Sequence, residues 1–319
     1  MTWIVTGGAG YIGAHVVRRM RVSGLDAVVF DDLSGGRADR LPGDVELVRG
    51  SITEPDDVNR LLRGRRVDGV IHLAALKSVA ESVAEPGRYQ SVNVDGMKHL
   101  LYAMREAGVS RMVFSSSAAV YGRPAGGTVS ERSRANPINP YGRTKLDGER
   151  LIKEYGIRSV VLRQFNVIGA GTHPHAADTG TTNLLPAVFR AMAPGAEPVA
   201  VLGDRYDTPT GTGVRDYVHV ADVVRIYLDA IDHLRSGAGE DQLIVNVGTG
   251  AGHSVRDVLN AVGEAADRPV PFRIAPPRDG DVPAIVARTA RAAQRLHWKA
   301  ELSFAEAVRS AWEAWPVSG

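Results

Sequence analysis

Short apolar runs and helix-period segments alternate through the first half of the chain. The apolar runs fall at 3–5, 27–30, 45–48, 69–72, 112–114 and 159–162. Between them stand segments such as 12–22, where Ile12, Val16 and Met20 recur on one helical face and Gly24 marks the stop. Runs that are apolar at every position, rather than at every second one, predict strands covered on both faces. The alternation as a whole predicts an α/β protein: a Rossmann-type, doubly wound parallel sheet with crossover helices. After about Gln164 the rhythm breaks. Residues 169–182 read as a loop, and further irregular stretches follow at 203–213 and 275–281. Two late helices carry start boxes, Ser254 with Asp257 and Ser303 with Glu306. This organisation predicts a dinucleotide-type domain over 1–165, to which segments near 215–260 return. A smaller, discontinuous α/β substrate domain is expected over 166–319.

Composition narrows the chemistry. A chain of 319 residues can bury one large core or two modest ones. With no Cys, disulfide scaffolds, thiolate zinc, iron–sulfur clusters and a cysteine nucleophile are excluded. Lys and Arg number 38 against 36 Asp and Glu, so no global charge favours nucleic acid or an acidic membrane. No apolar run approaches the roughly 18–20 residues of a membrane span, and MTWIVTGG enters a strand without a basic, apolar leader. A soluble, cytoplasmic protein is expected. The one oddity is 35 glycines, about 11% of the chain against a usual ~7%.

Several of those glycines fall where chemistry needs them. The first strand runs directly into Thr6-Gly7-Gly8-Ala9-Gly10-Tyr11-Ile12-Gly13, and a helix follows. Gly7, Gly10 and Gly13 permit a tight turn, close approach of a pyrophosphate and close helix–strand packing, while the helix N-terminus offers free amides. The second strand ends in Asp31-Asp32, at the distance where an acid meets the adenosine ribose hydroxyls. An acid there repels a 2′-phosphate, which favours NAD over NADP. The Gly-x-x-Gly-x-x-Gly spacing resembles that of the extended short-chain dehydrogenase/reductases.

Two more segments strengthen the resemblance. Ser115-Ser116-Ser117-Ala118-Ala119-Val120-Tyr121-Gly122 follows a strand, and Tyr141-Gly142-Arg143-Thr144-Lys145 opens a helix. Tyr and Lys four apart share a helical face. A lysine ammonium beside a phenol favours the phenolate and is expected to draw its pKa down from ~10. So tuned, Tyr141 can take a proton from a sugar hydroxyl, and a serine hydroxyl can bridge the same oxygen. In the family alignment Ser117 takes the catalytic serine's place, whereas Tyr121 reads as structural.

Within that superfamily the chain resembles the UDP-glucose 4-epimerases nearly end to end. The matching stretches are GGAGYIGAH, His72–Val79 with Glu81-Ser82-Val83, Asn93-Val94-Asp95-Gly96 and Arg163-Gln164-Phe165-Asn166-Val167-Ile168-Gly169. Asn183-Leu184-Leu185-Pro186, Gly213–Val220 and Arg278-Asp279-Gly280-Asp281 complete the set. The resemblance implies inversion of C4 of a UDP-hexose through a 4-keto sugar, with Ser117, Tyr141 and Lys145 catalytic and NAD tightly held and regenerated each turnover. NAD contacts are implied for Gly7, Gly10, Tyr11, Ile12, Gly13, Asp31, Asp32, Ser34, Ser51, Ile52, Leu73, Ala74, Ala75, Lys77, Asn93, Ser115, Tyr141, Lys145 and Phe165. Substrate contacts are implied for Lys77, Ser117, Tyr141, Asn166, Asn183, Leu184, Arg215, Tyr217, Arg278 and Asp281, with the backbone of Ala200, Val201 and Leu202 along the uracil. Two arginines suit a diphosphate through bidentate contacts. A homodimer is implied through helices near 89–107 and 141–155.

The chain departs from the family at four places: Ser51 for a frequent Asp, Gln164 for an aromatic, Leu202 for an aromatic near the uracil, and Ile285 at a position that sets room around the sugar. The last leaves open acceptance of an N-acetyl group, and the sequence as a whole leaves open C4 epimerisation of another UDP- or TDP-sugar, such as an N-acetylhexosamine, uronic acid or pentose. A nucleotide-sugar dehydratase would need acids beside the serine, where Ser-Ser-Ser-Ala-Ala stands. An NADPH-dependent reductase is disfavoured by Asp31 and Asp32, and a non-catalytic scaffold could dispense with the Tyr and Lys that are both present. No metal is expected, because His173 and His175 have no third ligand nearby in sequence.

Overall fold

The computed structural model describes residues 2–173, 175–180, 183–277 and 280–316. Its first half alternates strand and helix: β1 (Thr2–Thr6), α1 (Tyr11–Val22), β2 (Asp26–Asp31), β3 (Glu46–Arg49), α2 (Pro55–Leu62) and β4 (Val67–His72). Two short helices follow, α3 (Val79–Ala84) and α4 (Pro86–Gln90), then a single π turn over Ser91–Asp95 that leads into α5 (Gly96–Glu106). Next come β5 (Arg111–Ser117), a 3₁₀ turn (Ala118–Tyr121), β6 (Thr128–Val129), α6 (Pro140–Glu154) and β7 (Arg158–Gln164).

The remainder is β8 (Asn166–Ile168), α7 (Leu184–Ala191), β9 (Val199–Leu202), β10 (Val214–His219), α8 (Val220–Ser236) and β11 (Gln242–Val247). After these run β12 (Gly252–Ser254), α9 (Val255–Ala265), β13 (Phe272–Ala275), β14 (Ala284–Ala287), α10 (Ala290–Leu296) and α11 (Phe304–Glu313). Helices α9 and α11 open on the Ser254/Asp257 and Ser303/Glu306 capping boxes that the sequence signals.

Seven parallel strands form the main sheet, in the order β11-β7-β5-β4-β1-β2-β3. Helices cover both faces, which is why the strands are apolar throughout. Trp3 and Val5 of β1 pack with α1 and α8, whereas Ile4 between them packs with α2 and α5 on the other side. The strand order reverses beside β1, where β2 leaves on one side and β4 on the other. A crevice opens beyond the carboxyl ends of the strands at such a point.

The smaller unit has a five-stranded sheet built on β12-β10-β14-β6, with β8 beside β10, and a separate β13–β9 pair. Helices α7, α9 and α11 bury Phe189, Val258, Leu259 and Val308 in its own core. The two units exchange segments. Strand β6 comes from the first half yet pairs with β14, while β11 comes from the second half and pairs with β7. At Phe165 the chain passes from β7 in the main sheet to β8 in the smaller one. Gln164, Phe165 and Asn166 at that crossing line the cleft.

Candidate active site

A cleft of about 1140 Å³ runs along the crevice from the glycine loop to Arg215 and Asp281. At the first end the backbone itself forms the wall. Gly7 has φ +70°, and a Cβ there would stand 2.6 Å from the Ala74 amide nitrogen; one on Gly13 would stand 2.3 Å from the Gly7 carbonyl oxygen. No side chain fits either place. Helix α1 begins after Gly10, which offers no side-chain cap, so its first amides are left to a ligand in the cleft. Asp31, buried at the end of β2, accepts hydrogen bonds from the amides of Ala9 and Leu33, both at 2.9 Å. Burial raises its pKa and those two bonds oppose the rise. Asp32 accepts from the Ser34 amide and hydroxyl.

This end fits a dinucleotide: a glycine cradle that a Cβ would fill, free helix-end amides and a fixed carboxylate. Tyr11, Ile12, Ser51, Ile52, Leu73, Ala74, Ala75 and Lys77 also line it. At Ser51 the amide is held by Asp57 and the hydroxyl meets that of Thr53 at 2.9 Å. Beneath the loop, His72 and Thr6 join β4 to β1 at 2.7 Å, and burial brings His72 to about 3, so its ring is neutral.

The reactive side chains stand at the middle of the cleft. Asn139 caps α6 by accepting from the Gly142 amide at 2.8 Å, and Pro140 fixes the first turn, so Tyr141 enters at the helix start. Lys145 follows one turn later on the same face. The phenol of Tyr141 is hydrogen bonded to Ser117, whose own oxygen accepts from the Ala119 amide. The Lys145 ammonium donates to the Ser115 carbonyl at 2.8 Å and lies 6.0 Å from the Tyr141 ring centre.

The electrostatics correct one expectation. Burial pushes the Tyr141 phenol above its ordinary value, and the bond to Ser117 pulls the other way; Lys145 is not among the groups that set it. Lys145 loses its own proton near 8, below the range in which the phenol ionises, so it carries no charge when the phenol does. Burial also brings Lys145 down to about 8, against the charge of Glu149, which raises it.

At the far end Arg215 on β10 donates to Asp281 at 2.6 Å and to the Val214 carbonyl at 2.9 Å. Arg123 holds the Asp281 carbonyl at 3.1 Å. Asn166, Asn183, Leu184, Tyr217 and Ile285 share this wall with Phe165 and Gln164. Arg278 lies outside the described residues.

Not every expected contact reaches the cleft wall. Asn93 is buried in the π turn, where it accepts from the Leu76 amide and donates to the Leu76 carbonyl and the Thr144 hydroxyl. It braces the 73–77 segment from behind. Ala200, Val201 and Leu202 form β9 beside β13 and are absent from the wall, with Val201 in the smaller unit's core. Tyr121 donates to Asn246 at 2.6 Å, and His219 caps α8 through the Ala221 amide, both structural tasks. His173 packs its ring on His15, and among the described residues no three His, Asp or Glu side chains gather to hold a metal ion.

Two groups make contacts that sequence reasoning did not show. Gln164 donates to the Ser115 hydroxyl at 3.1 Å and to the Tyr227 hydroxyl at 2.5 Å. Glu149 is buried one turn beyond Lys145 and is paired with Arg163. Its i+4 spacing was the only signal, and that spacing ordinarily means a surface pair.

Comparison with known proteins agrees with this geometry. The family model described as "NAD dependent epimerase/dehydratase family" matches residues 3–248. The chain belongs to that family. It is an enzyme of the epimerase type, and NAD is its cofactor. A UDP-glucose 4-epimerase of Azospirillum brasilense is 41% identical over 304 residues, covering 92% of this chain and 86% of the relative. The Stenotrophomonas maltophila UDP-glucose-4-epimerase, solved with NAD and formylated UDP-arabinopyranose, superposes with a TM-score of 0.90 at 37% identity, over 98% of this chain and 97% of that one. The Bifidobacterium longum enzyme with NAD⁺ and UDP gives 0.90 at 34%, over 98% of each. No described helix of this epimerase-family chain is long and apolar enough to cross a membrane.

Proposed function

We propose that the chain interconverts UDP-glucose and UDP-galactose by inverting C4 through a transient 4-keto sugar, with Tyr141 as the base. The observation that carries this reading is placement. The Ser117–Tyr141–Lys145 set stands midway along one cleft, between a cradle suited to a dinucleotide and an arginine–aspartate end suited to a nucleoside diphosphate. When bound, NAD supplies a reversible two-electron acceptor beside C4. Tyr141 accepts the C4 hydroxyl proton, Ser117 shares it, and Lys145, held on the Ser115 carbonyl one turn away, supplies a positive charge beside that transfer. Such acid–base assistance contributes about 10²–10⁴ in rate. Arg215, with Arg278, holds the diphosphate while the keto sugar turns, and Tyr141 returns the proton when the opposite face is reduced.

The unit over 1–165, joined by α8 and β11, holds the cofactor. The remainder of 166–319 holds the nucleotide sugar. Half-exposed Tyr102, with Arg105 stacked on it and on Tyr155, marks the α5–α6 face through which two copies associate. Light scattering on the purified protein checks that association.

The activity is tested by incubating the protein with UDP-galactose and following product and absorbance together. Formation of UDP-glucose without accumulating reduced cofactor supports the proposal. Absence of any C4 conversion across UDP- and TDP-linked hexoses, N-acetylhexosamines, uronic acids and pentoses would overturn it, and the same panel reads the sugar preference.

A further inference from the structure

Glu149 is a buried carboxylate that the reaction as written does not use. It lies on α6 one turn beyond Lys145 and two beyond Tyr141, so the three share a face. It is only 3% exposed. The Ser116 hydroxyl donates to its Oε1 at 2.5 Å, and Arg163 of β7 donates from Nε to Oε1 at 2.9 Å and from Nη2 to Oε2 at 2.6 Å. Arg163 in turn lies 4.9 Å from the centre of the Tyr121 ring.

Stability is a weak reason for such a pair. Desolvating both ions is costly, and apolar side chains of the same volume serve a core as well. Its location is more telling. Ser116 sits between Ser115, whose carbonyl holds the Lys145 ammonium, and Ser117, which holds the Tyr141 phenol. The carboxylate therefore joins the strand that presents two of the contacts to the helix that presents both reacting side chains.

We propose that Glu149 is a positioning residue: clamped by Ser116 and Arg163, it fixes β5 against α6 and sets a negative charge one turn from the Lys145 ammonium, which keeps that ammonium charged in a dry site. This rests on the role given to Tyr141 and Lys145 above. The neighbouring groups leave Glu149 as the anion that acts. His72, facing from β4, is neutral; Tyr121 and Tyr141 are phenols held above their ordinary range by burial. Arg163 is bonded to Glu149 itself. Glu81 of α3 is committed to Arg88 and to Tyr89 of α4, and Lys98 of α5 pairs with Asp95 at the surface. Glu149 opposes the effect of burial on Lys145.

The chain has five lysines, so ¹³C-lysine labelling allows Lys145 to be titrated directly by NMR in the holoenzyme. In Glu149→Gln, Lys145 is expected to lose its proton at least one pH unit lower than in the wild type, a tenfold change. The alkaline limb of kcat/KM should move with it, while KM changes less than twofold and NAD content is retained. Glu149→Asp, which keeps the charge, should return the titration to within half a unit. If Glu149→Gln fails to fold, the volume-matched pair Glu149→Met with Arg163→Met carries the same expectation. An unmoved Lys145 titration in an active protein would overturn the role of Glu149. A wild type that converts no nucleotide sugar would instead overturn the activity on which that role rests.

Discussion

The two ends of the cleft are built in opposite ways. The dinucleotide end is one local segment, residues 6–13, backed by Asp31 at the tip of the next strand, and its walls are backbone. The far end, where we propose the nucleotide sugar binds, is assembled from side chains far apart in sequence: Asn166, Asn183, Arg215 and Asp281. A local, backbone-walled site tolerates no change of shape. A site of side chains drawn from several loops tolerates graded change, because neighbours remain when one is lost. Between them stand Ser117, Tyr141 and Lys145.

Substitutions can break that contrast, and the largest effect belongs to the glycine end. Gly13→Val would drive a side chain into the Gly7 carbonyl, 2.3 Å from the ideal Cβ position. Protein purified with this change should carry no NAD, as read by absorbance of the released cofactor; retained NAD would show that the cradle yields. Next in size, Tyr141→Phe should lower kcat by about 10²–10⁴ with NAD content unchanged. A loss of cofactor together with rate would tie the midpoint to one end only.

Lys145→Met separates activity from stability. In the fold Lys145 titrates near 8 instead of its ordinary 10.5, so below pH 8 the folded state bears the full cost of a buried charge. Between those values the unfolded state holds a proton that the folded state has lost, and stability rises with pH. The substitution should therefore raise unfolding free energy by up to ~3 kcal/mol at pH 7, with the gain fading as pH passes from 8 to 10.5. Urea denaturation at pH 7 and pH 10.5 measures this, and an advantage equal at both pH values would contradict it. The smallest effect is expected at the assembled end. Arg215→Leu removes a charged contact worth about 1.5–3 kcal/mol, so KM for a UDP-sugar should rise about 10–100-fold with kcat little changed. Unchanged KM would place the diphosphate elsewhere.

The same contrast governs what the sequence revealed. Six of the seven main-sheet strands were legible because runs apolar at every position require cover on both faces, and their edges fall within about three residues of those expected; the seventh, β11, was not among the expected runs. The glycine loop and the Tyr141–Lys145 pair were legible because each is a spacing within one short segment. Asn93 was placed in the cleft wall and instead braces Leu76 from behind, since sequence places a residue on a segment without saying which way it faces. Likewise β9 turned Val201 into a core.

Sequence by itself determined the parallel sheet, the cradle at the carboxyl end of its first strand and the tyrosine and lysine on one helical face, because each follows from local geometry and period. Only the tertiary structure decided where charge resides. The Lys145 ammonium donates a hydrogen bond to the Ser115 carbonyl rather than facing a phenol alone, Arg215 meets Asp281 across 66 residues, and Glu149 is buried against Arg163. The physical reason is that burial and through-space charge depend on which segments meet, and those meetings are made by distant parts of the chain folding onto one crevice.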